Sequence, residues 1–199
     1  MRNGEEPIVI TGMGVVTPVG NSTEEFWSAL CQGQSGISPI TLFDATNYPT
    51  RFAGEVKAFD PTDYMDRKES RRMDRFVQFA VAAARMAVAD ARLTIDDSNS
   101  DQVGVVIGSG IGGIRTLEDE HTQLLEKGPG RVSPFLVPML ICDMAAGHVS
   151  IVFGAKGPNT SVVTACASAA HSIGLASDMI RHGDADVVIA GGAEAGVTP

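Results

Sequence analysis

Cysteine is scarce in this 199-residue sequence, which holds only Cys31, Cys142 and Cys166. An odd count, wide spacings and no Cys-x-x-Cys argue against a disulfide framework or a structural zinc site, and fit a reducing compartment. Positive charge is also in short supply. With 15 basic against 24 acidic residues the net charge is −9, a poor basis for general nucleic-acid binding. No uninterrupted apolar run approaches the length of a membrane helix. The opening Met1–Pro7 carries Glu5, Glu6 and a proline, unlike a signal peptide. A cytoplasmic protein is expected, with a plastid or other organelle as the alternative. Internal repeats and low-complexity segments are lacking.

Glycine is plentiful at 22 residues, much of it beside apolar runs, as in tight strand-to-helix turns. Ile8–Thr11 reads as a buried strand entering Gly12-Met13-Gly14. Ser22 and Glu25 form a capping-box pair before an apolar helix that stops near Gly33. Residues 33–66 read as loops with one weak hairpin. Met73, Phe76, Val77, Ala80, Ala83, Ala84, Ala87 and Ala91 recur at helical spacing within 69–92, giving an alanine-rich face suited to close packing. Strands are expected at 103–107, 160–164 and 186–190. Helices are expected at 114–127, from Pro138 through Val149, and at 167–182. Cys31 and Cys142 fall within apolar helical stretches, as inert buried cysteines do. The alternation of elements, with continuously apolar strands, indicates an α/β layered fold with a buried sheet. Residues 7–199 are read as one domain, with 1–6 a flexible N-terminus. Gly196–Pro199 follows an apolar strand with nothing resembling a closing element, so a truncated sequence is expected.

Cys166 stands where a strand ends and a helix begins, within Thr164-Ala165-Cys166-Ala167-Ser168-Ala169. There a thiol meets the positive end of a helix dipole, which favours the thiolate. Small neighbours let a thioester carbonyl approach, and leave backbone N–H groups free for an oxyanion. The residues alone leave a nucleophile and an inert thiol evenly matched.

The Thr164–Ala169 run resembles the nucleophile motif of the β-ketoacyl-acyl carrier protein synthases. The resemblance extends to Val9–Gly20, Gly33–Ile37, Phe43-Asp44, Arg67–Glu69, Met73–Phe76, Gly108–Gly113, Ser133–Phe135 and Gly191–Glu194. It is strongest toward the elongating type II synthases, and it implies a thiolase-like αβαβα fold of which this chain supplies most of the N-terminal half. It further implies an acyltransferase of fatty-acid elongation. Cys166 would accept the acyl chain from acyl carrier protein and give one backbone oxyanion donor. Decarboxylated malonyl-carrier would then attack to form a 3-oxoacyl product. Ile111 matches the base of the acyl pocket, and Phe135 with Leu136 matches a segment reaching the partner subunit's pocket in homodimers. Leu136 departs from the usual Phe-Phe. Simple core packing is the alternative for these three.

No cofactor or metal is implied. The family's two catalytic histidines lie in its second half, and His121, His148, His171 and His182 match neither. His171, on the same expected helix as Cys166, would point roughly 140° away from it. Residues 1–199 alone are therefore expected not to condense substrates. Arg67, Lys68, Arg71, Arg72 and Arg75 gather five of the 15 basic residues, offset by Glu69 and Asp74. Of these, Lys68, Arg71 and Arg72 match carrier-docking positions, and such a patch would steer an acidic carrier. A solvated helix face is the other reading.

Rival functions remain. Gly108, Gly110 and Gly113 fit the G-x-G-x-x-G of a dinucleotide-binding Rossmann oxidoreductase, although no acid-tipped second strand follows where one is required. Within the same superfamily stand a polyketide ketosynthase, a thiolase and a chain-length-factor-like partner subunit, which typically lacks the cysteine.

Overall fold

The structure is a computed structural model and describes residues 7–199; the expected flexible residues 1–6 lie outside the described residues. In chain order the elements are α1 (Thr23–Cys31), β1 (Ile37–Pro39), β2 (Phe52–Gly54), α2 (Arg67–Ser70), α3 (Arg75–Asp90), β3 (Val103–Gly108), α4 (Ile114–Lys127), α5 (Leu136–Leu140), α6 (Met144–Phe153), β4 (Asn159–Thr160), α7 (Ser168–His182) and β5 (Val187–Gly192). The weak hairpin is β1 paired antiparallel with β2.

The other three strands form a parallel sheet in the order β4-β3-β5. The central strand β3 is buried along its whole length, the expected fate of a parallel strand covered on both faces. Its alternate side chains divide between two layers. Val103, Val105 and Ile107 join a core with Phe76, Val77, Ala80, Val81 and Ala84 of α3 and with Ala145, Ala146 and Val149 of α6. Each fully buried valine contributes on the order of 1.5–3 kcal/mol. Gly108 faces the opposite layer, where an added Cβ would lie 2.8 Å from Cβ of Ser168 at the start of α7. The expected α/β layering is thus present as a sheet between α3/α6 and α7.

Helix α1 begins as the capping pair predicts, with the Ser22 hydroxyl accepting the Glu25 N–H at 3.2 Å. The glutamate returns its bond to Asn21 N–H instead of to the cap itself. Only Ala29 of this helix is buried, and Cys31 is exposed, against expectation. Cys142 is only partly buried.

Other boundaries also moved. The helix expected over 69–92 is broken at 71–74, because Asp74 caps α3 through a hydrogen bond from Phe76 N–H. The helix expected from Pro138 to Val149 splits into α5 and α6. The Leu140 carbonyl, which would have continued it, accepts Gly113 N–H at 2.9 Å, and Met144 N–H turns to Ile141. The strand expected at 160–164 pairs only at Asn159 and Thr160 before the chain leaves the sheet. Ile8–Thr11 forms no strand at all. It has no described ladder to join, and Val9 and Ile10 are 67% and 78% exposed. Gly12 and Gly14 instead lie against α3, where a Cβ would run into the Ala87 and Ala83 carbonyls. That contact is the close packing expected of the alanine-rich face.

Candidate active site

Cys166 is exposed in a short 3-10 turn, Ala165–Ala167, that leads into α7. The backbone before it is unusual. Ala165 has φ 51°, in the left-handed region, at a cost on the order of 1–2 kcal/mol for a residue with a Cβ. Such conformations persist where the surroundings over-determine them, and two side chains do so here. The buried Ser168 hydroxyl accepts Thr164 N–H at 2.9 Å and donates to the Ala165 carbonyl at 2.7 Å. Thr164 Oγ1 lies 2.7 Å from His171 Nδ1. Cys166 precedes the helix, so the expected angular separation from His171 does not apply, and the imidazole is a brace for the turn. A histidine seven residues after Thr164 carries no sequence signal for this; only the turn geometry reveals it.

Beside this turn stands the loop Ser109–Gly113, delivered by β3. Gly110 N–H and Ile111 N–H donate to Glu194 Oε2 at 2.8 and 3.0 Å. Ser109 Oγ donates to Glu194 Oε1 at 3.3 Å and accepts Gly112 N–H at 3.1 Å. An added Cβ on Gly110 would stand 3.4 Å from Ala165 Cα, so loop and cysteine turn are neighbours. In sequence Glu194 is only the last residue of the Gly191–Glu194 motif. Its carboxylate occupies the backbone N–H groups that a pyrophosphate would need in a dinucleotide site, which removes the physical basis of the Rossmann reading. Ile111 projects from the loop 55% exposed.

Phe135 and Leu136 open α5, exposed and half-buried respectively. The Arg72 guanidinium sits 4.8 Å above the Phe135 ring, so one candidate docking residue touches one candidate pocket residue. Lys68, Arg71 and Arg72 are all exposed on and after α2. Arg75 leaves the patch: it lies over Phe59 and Phe79 at 5.7 and 4.8 Å and donates to the Val56 carbonyl. Burial pulls its guanidinium below the ordinary value, with Asp74 opposing. Asp74 leaves too, being buried and bonded to Thr116 through N–H at 3.1 Å and Oγ1 at 2.6 Å. The exposed cluster is therefore Arg67, Lys68, Arg71 and Arg72 around Glu69.

Burial first, then Glu194 and Asp143, push the Cys142 thiol upward. Among the described residues no group of His, Cys, Asp and Glu is placed to hold a metal ion, and no helix is long and apolar enough to cross a membrane. A cavity of about 230 Å³ borders Gly14–Thr17, Phe79, Ala83 and Gly192–Glu194.

The family model described as "Beta-ketoacyl synthase, N-terminal domain" matches residues 5–199. The 3-oxoacyl-[acyl-carrier-protein] synthase 2 of Synechocystis sp. is 52% identical over 192 residues, 96% of this chain and 46% of that protein. The Staphylococcus aureus (strain N315) protein of the same name is 54% identical over 191 residues, again 96% and 46%. Among solved structures, the ishigamide ketosynthase/chain length factor superposes with a TM-score of 0.87 at 35% identity, over 94% of this chain and 47% of that one. The chain spans about half the length of the curated relatives it matches.

Proposed function

Because the chain belongs to the β-ketoacyl synthase family, whose N-terminal domain it carries, we propose that it is the nucleophile-bearing half of a condensing acyltransferase of fatty-acid elongation. The observation that carries this reading is the exposed Cys166, held beyond a strained alanine on a turn braced from two sides. In the reaction the Cys166 thiolate attacks the carbonyl of an acyl thioester, the carrier thiolate leaves, and the acyl group stays on sulfur. The Cys166 N–H stabilises the oxygen that becomes charged. The acyl-cysteine is then attacked by the carbanion left when a malonyl thioester loses CO₂, releasing Cys166 and a 3-oxoacyl thioester. Residues 7–199 act as one domain of a cytoplasmic homodimer.

Lys68, Arg71 and Arg72 meet acyl carrier protein, and Ile111, Phe135 and Leu136 line the acyl pocket. Identity above 50% to proteins named 3-oxoacyl-[acyl-carrier-protein] synthase 2 favours this over a polyketide ketosynthase. The test is two-carbon elongation by the full-length protein, with mass spectrometry of the Cys166 peptide. Acylation at Cys166, and its loss with elongation in Cys166→Ala, supports the reading. Elongation by Cys166→Ala at the parent rate refutes it.

A further inference from the structure

The Gly191–Glu194 run belongs to the family pattern, yet nothing in the proposed chemistry uses its glutamate. We propose that Glu194 is a positioning residue that sets the acyl-pocket loop, and so the acyl length accepted at Cys166. The inference rests on the reading of Ile111 as a pocket residue.

The sheet places Glu194. Strand β5 runs parallel to β3 with Gly192 opposite Gly108, and Ala193 N–H donates to the Gly108 carbonyl at 3.0 Å. Two residues past the pairing, the Glu194 side chain meets the loop that leaves β3. One carboxylate oxygen holds the consecutive N–H groups of Gly110 and Ile111, and the other accepts from Ser109, which in turn holds Gly112 N–H. Thus every residue from Ser109 to Gly112 is tied to this carboxylate directly or through one hydroxyl.

The loop needs such an anchor. Gly110, Gly112 and Gly113 give it little conformational preference of its own, and Gly112 takes φ 74°. Its far end is pinned separately, by Gly113 N–H on the Leu140 carbonyl. Between the two pins the one large side chain is Ile111. Displacing the carboxylate therefore moves Ile111 relative to Cys166, whose neighbour Ala165 lies against Gly110.

The test uses the full-length protein and acyl thioesters of graded length. In Glu194→Gln the amide oxygen can still accept both N–H groups and the amide nitrogen can donate to Ser109, so the parent length profile is expected. Glu194→Ala empties the site, and Glu194→Asp falls short of it. Both should shift the ratio of kcat/KM for long over short substrates by about tenfold, the scale on which one methylene is discriminated in an apolar pocket. The shift should share its direction with Ile111→Ala, while Cys166 acylation by the shortest substrate stays within about threefold of the parent. A uniform loss at all lengths, or Glu194→Gln behaving as Glu194→Ala, overturns the inference. If Ile111→Ala leaves the profile unchanged, the pocket reading itself falls; if Ile111→Ala shifts it and Glu194→Ala does not, only the role of Glu194 falls. Should Glu194→Ala and Glu194→Asp not fold, Ser109→Ala removes one arm of the same clamp: a smaller shift in that direction supports the inference, and an unchanged profile overturns it.

Discussion

Replacing Ser168 by alanine probes the turn that presents Cys166. The hydroxyl makes two hydrogen bonds, to Thr164 N–H and the Ala165 carbonyl. Thr164 and Ala165 are exposed, so water can replace the lost partner, and each bond is worth about 1 kcal/mol net. Against that loss of about 2 kcal/mol, the freed turn can relax Ala165 from the left-handed region and recover on the order of 1 kcal/mol. Stability of the full-length protein should therefore fall by only about 1 kcal/mol, read from urea midpoints. Acyl transfer should suffer far more, because displacing a reacting atom by about 1 Å can cost about 10²-fold in rate. Single-turnover acylation of Cys166, followed by mass spectrometry at the labelled peptide, should slow by about 10- to 100-fold. Because Cys31 is also exposed, only the Cys166 peptide counts. Acylation within about threefold of the parent, with the modest stability loss still seen, would show that the serine is a mere helix-start residue and would refute the reasoning.

Asp74→Ala removes the cap of α3 and both Thr116 bonds in a buried setting; it should destabilise by about 3–5 kcal/mol by urea denaturation, against about 1–2 for Asp74→Asn. Reversing Arg71 and Arg72 to Glu should raise KM for acyl carrier protein about tenfold or more while leaving Cys166 alkylation unchanged, with a steep salt dependence in the parent. His148 is held below its ordinary 6.5 by burial, with Glu69 opposing. Above that value it is neutral in both states; as pH falls below it, the unfolded chain takes up a proton that the folded protein resists, so stability drops. Comparing urea midpoints at about pH 7.5 and 5.5 should show this slope in the parent, flattened in His148→Gln.

Legibility from sequence followed the range of the interactions. The capping pair at Ser22, the glycine stop at Gly33, strand β3 and helices α4 and α7 were readable because neighbouring residues decide them. The two broken helices show where local reading stops. Asp74 interrupts one because one carboxylate oxygen caps α3 at nearby Phe76 while the other serves Thr116, and Leu140 ends another because Gly113 takes its carbonyl. Thr116 and Gly113 are both distant in sequence. Ile8–Thr11 has strand composition, but composition cannot supply the neighbouring ladder that makes a strand. At the site, Cys166 and Ile111 were visible through motif and resemblance. The Ser168 and His171 braces and the Glu194 anchor were not, since Ser168 and Glu194 act largely on backbone groups that carry no residue identity, and His171 meets Thr164 only through the turn between them. Arg75 and Asp74 look like surface charges in sequence, and only burial withdraws them from the patch.

The seat of the Arg72 guanidinium over the Phe135 ring bears on how an encounter at this surface would proceed. A guanidinium is flat, so a ring packed against its face would leave the N–H groups at its rim pointing outward, free for a carboxylate. A free arginine has many rotamers to surrender when it grips a partner. In the proposed docking, the ring beneath Arg72 would narrow that choice beforehand and lower the entropic cost of gripping an acidic partner. A lysine at this position would match the charge but not the plane. It would attract the same acid from any angle, so in the proposed docking the arginine would select for geometry as well as for charge.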